Sequence, residues 1–312
     1  MKRVLALCLI LWSSAALAQP ARPPAGAARA STTAACDREC LRGKITEVLY
    51  ALAEHDVSKL AVAPGLRVTE DAVEKPLDKV GLVRSVTKLR GYRQDVIDER
   101  AGVAVAGAMV EESGVPVMLV VRLKVNGEAK LSELELVATR SRADGMIWNI
   151  DSYSGAAAKD MTITPKPSQL ASREQAIEIA MHYPRGLSSA KSLNAVGTPL
   201  AKEAYRLENG QLMAGPGCKF APGCDDIGNQ SLKVFETLGR VTVRDILVDE
   251  RMGIVLMRLS WNFSGPGSDK LTAFEMFKVY DGQIHMVQAY MRRFPPAQDL
   301  GGWPIRAGIT QP

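Results

Sequence analysis

The chain has 312 residues, of which 46% are apolar and 23% are charged, close to the average for globular proteins. This composition excludes a mainly disordered, collagen-like or coiled-coil protein. The formal charge of +5 results from 39 basic and 34 acidic residues, and only 5% of residues are aromatic. With neither a basic run nor a set of stacking aromatics, the sequence does not support nucleic-acid binding.

The N-terminus has the three parts of a cleavable secretory signal. Lys2 and Arg3 precede an apolar run over residues 4–12, and small residues end the segment at Ala18. About nine apolar residues are too few to cross a bilayer core of ~30 Å, so we expect no membrane span. We therefore predict a signal peptide over 1–18, a disordered leader over 19–35, and a periplasmic or secreted mature protein.

Four cysteines remain after the predicted cleavage: Cys36, Cys40, Cys218 and Cys224. An even number in an exported protein favours disulfides. Their spacing suggests the local pairs 36–40 and 218–224, one of three possible pairings. A zinc site is the alternative, but only the first pair has ligand-like spacing and no histidine is near either pair in sequence. Free thiols are the third possibility. We expect two disulfides and no metal.

One stretch of sequence recurs about 150 residues later. Residues 94–106 and 244–257 share the core Val/Ile-Asp-Glu-Arg-x-Gly, which we interpret as a structural hairpin turn. Further hairpin signals follow in the same order, Asn126-Gly127 and Asp281-Gly282. A repeat of this length in a fixed order predicts two tandem domains. The predicted parts are a first module over 36–153, a linker over 154–171, a second module over 172–295 and a C-terminal tail over 296–312.

Each half is predicted to begin with an amphipathic helix and to end in four antiparallel strands. The first helix follows Asp37 as its N-cap, and the second opens at Ser172 and ends at Pro184 and Gly186. The predicted strands are 92–98, 101–112, 115–126 and 129–140, then 240–249, 253–264, 271–280 and 283–293. A helix followed by antiparallel strands makes each half α+β.

This pattern resembles the nuclear transport factor 2-like superfamily, which includes polyketide cyclase-like and ketosteroid isomerase-like proteins. More closely, the chain is similar to a group of secreted two-copy proteins. The stretches that carry this likeness are Cys36-Asp37-Arg38-Glu39-Cys40-Leu41, Tyr205-Arg206-Leu207-Glu208-Asn209-Gly210 and Gly302-Trp303-Pro304. The resemblance implies two cone-shaped modules, each with helices on a curved antiparallel sheet around an apolar pocket, arranged as an internal pseudo-dimer. It also implies cofactor-independent lyase or isomerase chemistry on a small apolar or aromatic compound, for example of the lignin-derived type.

Chemistry of this kind needs a positioned base and a hydrogen-bond donor in a dry site. The second half has Glu275 where the first has Val121, and His285 where the first has Ser132. Strand alternation places Glu275 with Ala273, Phe277 and Val279, and His285 with Val287 and Ala289, on the expected pocket side. The predicted catalytic residues are His285, Glu275, His182 and Tyr205. The predicted ligand-binding residues are Trp261, Tyr183, Arg206, Glu208 and Tyr50.

Each of these residues also has a purely structural interpretation. His285 could face solvent, His182 could end a helix, Tyr50 could pack in the core, and Glu275 could form an ion pair outside the sheet. Two functional hypotheses therefore stay open. One is an acid–base lyase or isomerase without a cofactor, and the other is a non-catalytic periplasmic module that binds a small ligand or another protein. The oligomeric state is left open.

Overall fold

A computed structural model describes residues 36–153, 158–189, 191–233, 241–262 and 269–300. The predicted signal peptide and leader, the start of the predicted linker and the end of the tail lie outside these residues. Within the described ranges, no helix combines the length and the apolar character needed to cross a membrane.

The first half contains a long helix and a six-stranded sheet. Its elements are α1 (Arg38–Ala53), β1 (Val62–Glu70), β2 (Val73–Glu74), α2 (Leu82–Ser85), β3 (Val86–Asp98), β4 (Val103–Glu112), β5 (Val115–Val125) and β6 (Leu131–Thr139). The side chain of Asp37 caps α1 by accepting the backbone N–H of Cys40 at 2.9 Å. The helix and the four long strands agree with the sequence prediction to within a few residues, except that β3 begins six residues earlier.

The second half repeats this order after a short helix, α3 (Arg142–Gly145). Its elements are α4 (Arg173–Ser189), β7 (Leu200–Glu208), β8 (Gln211–Ala214), β9 (Thr242–Asp249), β10 (Ile254–Asn262), β11 (Lys270–Tyr280) and β12 (Gln283–Phe294). Helix α4 continues through Pro184 and Gly186, so its predicted end is wrong. A proline removes one helical hydrogen bond, and the buried packing of Tyr183, Pro184 and Leu187 outweighs that loss.

The two sheets have the same strand order. The first runs β2-β1-β6-β5-β4-β3 and the second β8-β7-β12-β11-β10-β9. In each sheet one pair is parallel, β1 with β6 and β7 with β12. Sequence analysis missed β1 and β7 because a parallel partner lies far along the chain and leaves no hairpin signal. The fold is α+β, and the repeated order is compatible with a tandem arrangement of two modules.

Three apolar clusters divide the described structure into layers. Helix α1 packs on one face of the first sheet, with Leu41 and Ile45 against the cluster that contains Val121. Helix α4 covers the equivalent face of the second sheet, where the ring of Tyr183 meets Phe277 edge-on at 5.1 Å. We call these faces the helix-facing sides. The opposite faces of the two sheets share the third cluster, and we call them the sheet-facing sides.

Both predicted disulfides are present, Cys36–Cys40 and Cys218–Cys224. The first joins the residue before the N-cap of α1 to the first turn of that helix. The second closes a short loop that follows β8. Because the pairs are local, each bridge constrains only a few residues, as the sequence spacing predicts.

Candidate functional site

A cavity of about 340 Å³ lies on the helix-facing side of the second sheet, between α4 and the strands. Most of its wall consists of leucine, isoleucine, methionine and alanine side chains. Its polar lining is small. The main polar residues are Tyr183, Arg206, Glu208, Gln230, Trp261 and Glu275. An apolar cavity with a few converging polar groups is the usual form of a small-molecule site.

Strand register places the two acidic residues of this cavity in one row. Ala289 of β12 pairs with Glu208 of β7 on one side and with Glu275 of β11 on the other. Strands lie about 4.8 Å apart, so the backbones of the two acidic residues are roughly 10 Å from each other. The small side chain of Ala289 between them leaves space for the cavity.

Glu275 is a buried carboxyl group, with only 4% of the residue exposed. Burial raises the pKa of Glu275 to about 8, and repulsion from Glu208 acts in the same direction. The charge of Arg206 and a hydrogen bond from Tyr183 act in the opposite direction. A group whose pKa lies near neutrality can both accept and release a proton, which is what acid–base chemistry requires.

The side chain of Arg206 organises the polar end of the cavity. Its Nη1 atom donates to the hydroxyl of Tyr183 at 3.0 Å, and its Nη2 atom donates to Oε1 of Gln230 at 2.7 Å. Its Nε atom lies 2.7 Å from Oε1 of Glu208, forming an ion pair. Burial raises the pKa of Tyr183 well above its ordinary value, so the hydroxyl keeps its proton. The result is a chain of contacts from Arg206 through Tyr183 to Glu275.

Trp261 lies at the far end of the same face. It belongs to β10, where it pairs with Leu271, whereas Met257 of the same strand pairs with Glu275. The residue is 4% exposed, and its indole N–H has no hydrogen-bond partner among the residues that the structure describes. A buried N–H without a partner costs about 1–3 kcal/mol.

The structure places His285 and Tyr205 away from Glu275. A β-bulge between β11 and β12 pairs Lys278 with Met286 and Val279 with Ile284, so His285 is the extra residue. The alternation that assigned His285 to the pocket side is interrupted there. His285 instead faces a separate cleft of about 540 Å³ together with Tyr205.

The ring of His285 stacks on Tyr280 in this second cleft, with centroids 3.5 Å apart. Burial lowers the pKa of His285, which favours the neutral ring. Burial also raises the pKa of Tyr205, which lies on β7 one residue before Arg206 and faces the opposite side of the sheet. Of the four predicted catalytic residues, Glu275 therefore lies on one side of this sheet and His285 and Tyr205 face a cleft on the other.

The two remaining predicted residues occupy other surfaces. His182 precedes Tyr183 on α4, and a rotation of about 100° per residue turns it toward Glu178, whose pKa is lowered mainly by Arg185 and also by His182. Tyr50 is 54% exposed on α1 and borders a small pocket of about 210 Å³ in the first half. Tyr183, Arg206, Glu208, Trp261 and Glu275 are the predicted residues that share the 340 Å³ cavity.

Sequence analysis missed the segment after α3, which supplies Met146 and Ile147 to the cavity wall. Asn209 holds this segment in place by donating to the carbonyl oxygens of Gly145 and Ile147 at 3.2 and 3.1 Å. The sequence does carry a signal for the turn after β7, because Asn-Gly is a typical turn dipeptide. In the structure both Asn209 and Gly210 have the positive φ angles that such a turn requires. Gln230 gave no comparable signal, because its contact with Arg206 depends on a long loop.

Comparison with known proteins identifies similarity to part of this chain. Residues 169–291 match the family model of a domain of unknown function, DUF8021. No curated protein matches the chain.

Three solved structures are similar to about two fifths of the chain. A de novo designed protein with a curved β-sheet shares 17% identity, covering 38% of this chain and 87% of its own, with a TM-score of 0.31. A protein proposed to be a polyketide cyclase from Bacillus cereus ATCC 10987 shares 15%, covering 42% and 88%, with a TM-score of 0.29. A protein proposed to be a ketosteroid isomerase from Kribbella flavida DSM 17836 shares 16%, covering 40% and 82%, with a TM-score of 0.25. Scores of this size do not establish a common activity.

Proposed function

We propose that the second half of this protein binds a small, mainly apolar molecule in the 340 Å³ cavity and that Glu275 is its general base. One observation carries this proposal: a buried carboxyl group lines an apolar cavity together with a tyrosine that Arg206 holds in place. A buried carboxyl group is costly to stability unless it is compensated. A role in proton transfer would explain why a carboxyl group is present at this buried position.

The proposed chemistry is proton abstraction from carbon or an equivalent acid–base step. The ionised carboxylate of Glu275 accepts a proton from the ligand, and the apolar wall excludes water that would compete for it. Tyr183 keeps its own proton and stabilises the carboxylate by hydrogen bonding. The protonated Glu275 then returns the proton to another ligand atom, or the ligand loses a leaving group. Both outcomes belong to the isomerase and lyase class that the sequence resemblance implies.

A probe reaction that needs only a base tests this role without knowledge of the natural substrate. Nitrobenzisoxazole is a small aromatic molecule. When a base removes its ring C–H proton, the electron pair forms a nitrile and the N–O bond breaks to give a coloured phenolate. We expect turnover that rises with pH to a plateau above about pH 8, because Glu275 must be ionised. Glu275→Gln should lower the rate by roughly 10²-fold or more, a typical contribution of a general base.

A matched control is Glu203→Gln, which removes a carboxylate of β7 that borders the His285 cleft instead. This variant should keep the rate and the pH profile of the wild type. If Glu275→Gln also keeps both, Glu275 is not the base. If the wild type binds the probe without accelerating its ring opening, the cavity is a binding site alone.

The proposal extends to the location and organisation of the protein. We infer an exported protein, since two local disulfides suit an oxidising compartment and the first 18 residues have the features of a secretory signal. We also propose two modules near 36–153 and 172–295, with the cavity on the second and closed in part by Met146 and Ile147 from the end of the first. N-terminal sequencing of protein from the natural host should begin at Gln19, whereas a sequence that begins at Met1 would contradict export by this signal.

A further inference from the structure

We infer that the cavity selects an uncharged ligand about two rings long that carries a hydrogen-bond acceptor, which the indole N–H of Trp261 binds at the end opposite Glu275. This inference rests on the proposed function, because it concerns the ligand of the same cavity. Three features of the site support it: the partners that Arg206 already has, the unpaired N–H of Trp261, and the distance along the sheet between Trp261 and Glu275.

Within the described part of the chain, Arg206 is the one arginine that lines this cavity, and an ion pair with Glu208 compensates its charge. Arg206 donates hydrogen bonds from two guanidinium nitrogens, to Tyr183 and Gln230, and its Nε atom forms a 2.7 Å ion pair with Glu208 without an aligned hydrogen bond. A ligand carboxylate would have to displace one of these partners and would lie in an apolar space next to two acidic side chains. An unpaired buried charge is far more costly than a buried neutral group. The site therefore disfavours anions.

Trp261 supplies an unpaired donor that carries no charge. Its ring lines the cavity, the residue is 4% exposed, and its Nε1–H has no hydrogen-bond partner within the described part of the chain. A ligand oxygen placed against this group removes the cost of the unpaired donor. A ligand without an acceptor leaves that cost in place, so the two differ in affinity although they fill the same space.

Strand geometry sets the length of the ligand. Trp261 lies four residues along β10 from Met257, which is the partner of Glu275 in the register. At about 3.3 Å per residue, the two ends of the site are roughly 13 Å apart along the backbone. The side chains shorten this span, so a two-ring molecule can meet both groups at once, whereas a single ring reaches one of them.

Three naphthalene probes of nearly the same shape test this inference by equilibrium dialysis. Acetylnaphthalene carries an acceptor oxygen, isopropenylnaphthalene replaces that oxygen with a CH₂ group, and naphthoate is an anion. We expect the ketone to bind about tenfold more tightly than the alkene, as loss of one hydrogen bond to a buried donor predicts, and naphthoate to bind least. In Trp261→Phe the advantage of the ketone should vanish while the alkene binds as before. Trp148→Phe removes the same N–H from a residue at the sheet-facing side and should change neither affinity.

The possible outcomes separate this inference from the proposed function. Equal binding of ketone and alkene to the wild type, or a ketone advantage that persists in Trp261→Phe, overturns the role of the indole and leaves the cavity in place. Tightest binding of naphthoate overturns the selection against anions. Failure of all three probes to bind overturns the cavity proposal itself. The wild-type comparison is decisive even if the tryptophan variant does not fold.

Discussion

Asp98 and Asp249 make the same three kinds of contact, and each carboxylate reaches across to the other half of the chain. Asp98 accepts the N–H of Ala101 at 3.1 Å within its own hairpin turn. It also accepts the N–H of Val248 at 3.0 Å and pairs with the guanidinium of Arg173 at 2.5 Å, both from the second half. The carboxylate is fully buried.

Asp249 repeats this pattern with the halves exchanged. It accepts the N–H of Met252 at 3.1 Å in its own turn and the N–H of Ile97 at 3.1 Å from the first half. Its ion pair is with Arg38 at 2.7 Å, at the start of α1. The repeated Asp-Glu-Arg turn is therefore structural, and it joins the two halves reciprocally.

These contacts predict a strong effect of a small substitution. Asp249→Asn removes the charge that compensates the largely buried Arg38, and we expect the free energy of unfolding to fall by about 3–5 kcal/mol. The matched control is Glu39→Gln, which removes the exposed ion pair with Arg42 and should change stability by less than about 1 kcal/mol. Urea unfolding of the two variants measures both values. Equal losses of unfolding free energy in the two variants would mean that the ion pair between Asp249 and Arg38 contributes little to stability.

Two glycines predict opposite responses to alanine. A Cβ added at Gly107 of β4 would lie 2.1 Å from Cζ of Tyr290, which crosses from the second sheet, so Gly107→Ala should destabilise the protein by about 1–3 kcal/mol. A Cβ at Gly43 of α1 would meet nothing within 4 Å. Gly43→Ala should therefore stabilise the helix by up to about 1 kcal/mol. Thermal melts of both variants measure these effects. An unchanged melting temperature in Gly107→Ala would show that the two sheets can move apart at this point.

The raised pKa of Glu275 predicts how stability depends on pH. Below about pH 4.5 the carboxyl is protonated in both the folded and the unfolded chain, and above about pH 8 it is ionised in both. Between these values only the unfolded chain has released the proton. The free energy of unfolding should therefore fall as pH rises through this window, by at most about 1.4 kcal/mol per pH unit.

Glu275→Gln lacks this titration and isolates its effect. We expect the stability of wild type relative to the variant to decline between about pH 4.5 and 8 and to stay level above it. Urea unfolding across this range measures the difference, and titrating groups that do not interact with Glu275 cancel in the comparison. Parallel curves for the two proteins would mean that Glu275 is hydrated and has an ordinary pKa.

The two disulfides are predicted to differ in function. Phe220 and Ala221 lie inside the loop closed by Cys218–Cys224 and line the cavity, so a Cys218→Ser/Cys224→Ser variant should bind acetylnaphthalene more weakly. Cys36→Ser/Cys40→Ser should lower stability by about 2–3 kcal/mol, the low end expected for short loops, and leave binding intact. Dialysis together with urea unfolding separates the effects, and equal affinities in the two variants would contradict a role of the loop at the cavity.

Much of the fold follows from local sequence pattern. Alternating apolar residues and hairpin turns indicate the long antiparallel strands, and Asp37 indicates the start of α1. Cysteine spacing predicts both bridges because their loops are short. The contrast between Glu275 and Val121 singles out an acidic residue on an otherwise apolar strand face. All of these signals lie within a few residues or within one repeat, where the chain itself limits the geometry.

Only the tertiary structure decides which polar residues meet. The bulge at His285 moves that ring to the sheet-facing side, and one extra residue cannot be recognised from alternation alone. The parallel pairing of β7 with β12 brings Arg206 and Glu208 beside Glu275, although these residues lie far apart in sequence. Local patterns specify which face a residue takes where the strand is regular, while long-range pairing specifies its neighbours. The sequence by itself therefore determined the elements, the repeat and the acidic residue, and the packing of distant strands determined the cavity that surrounds it.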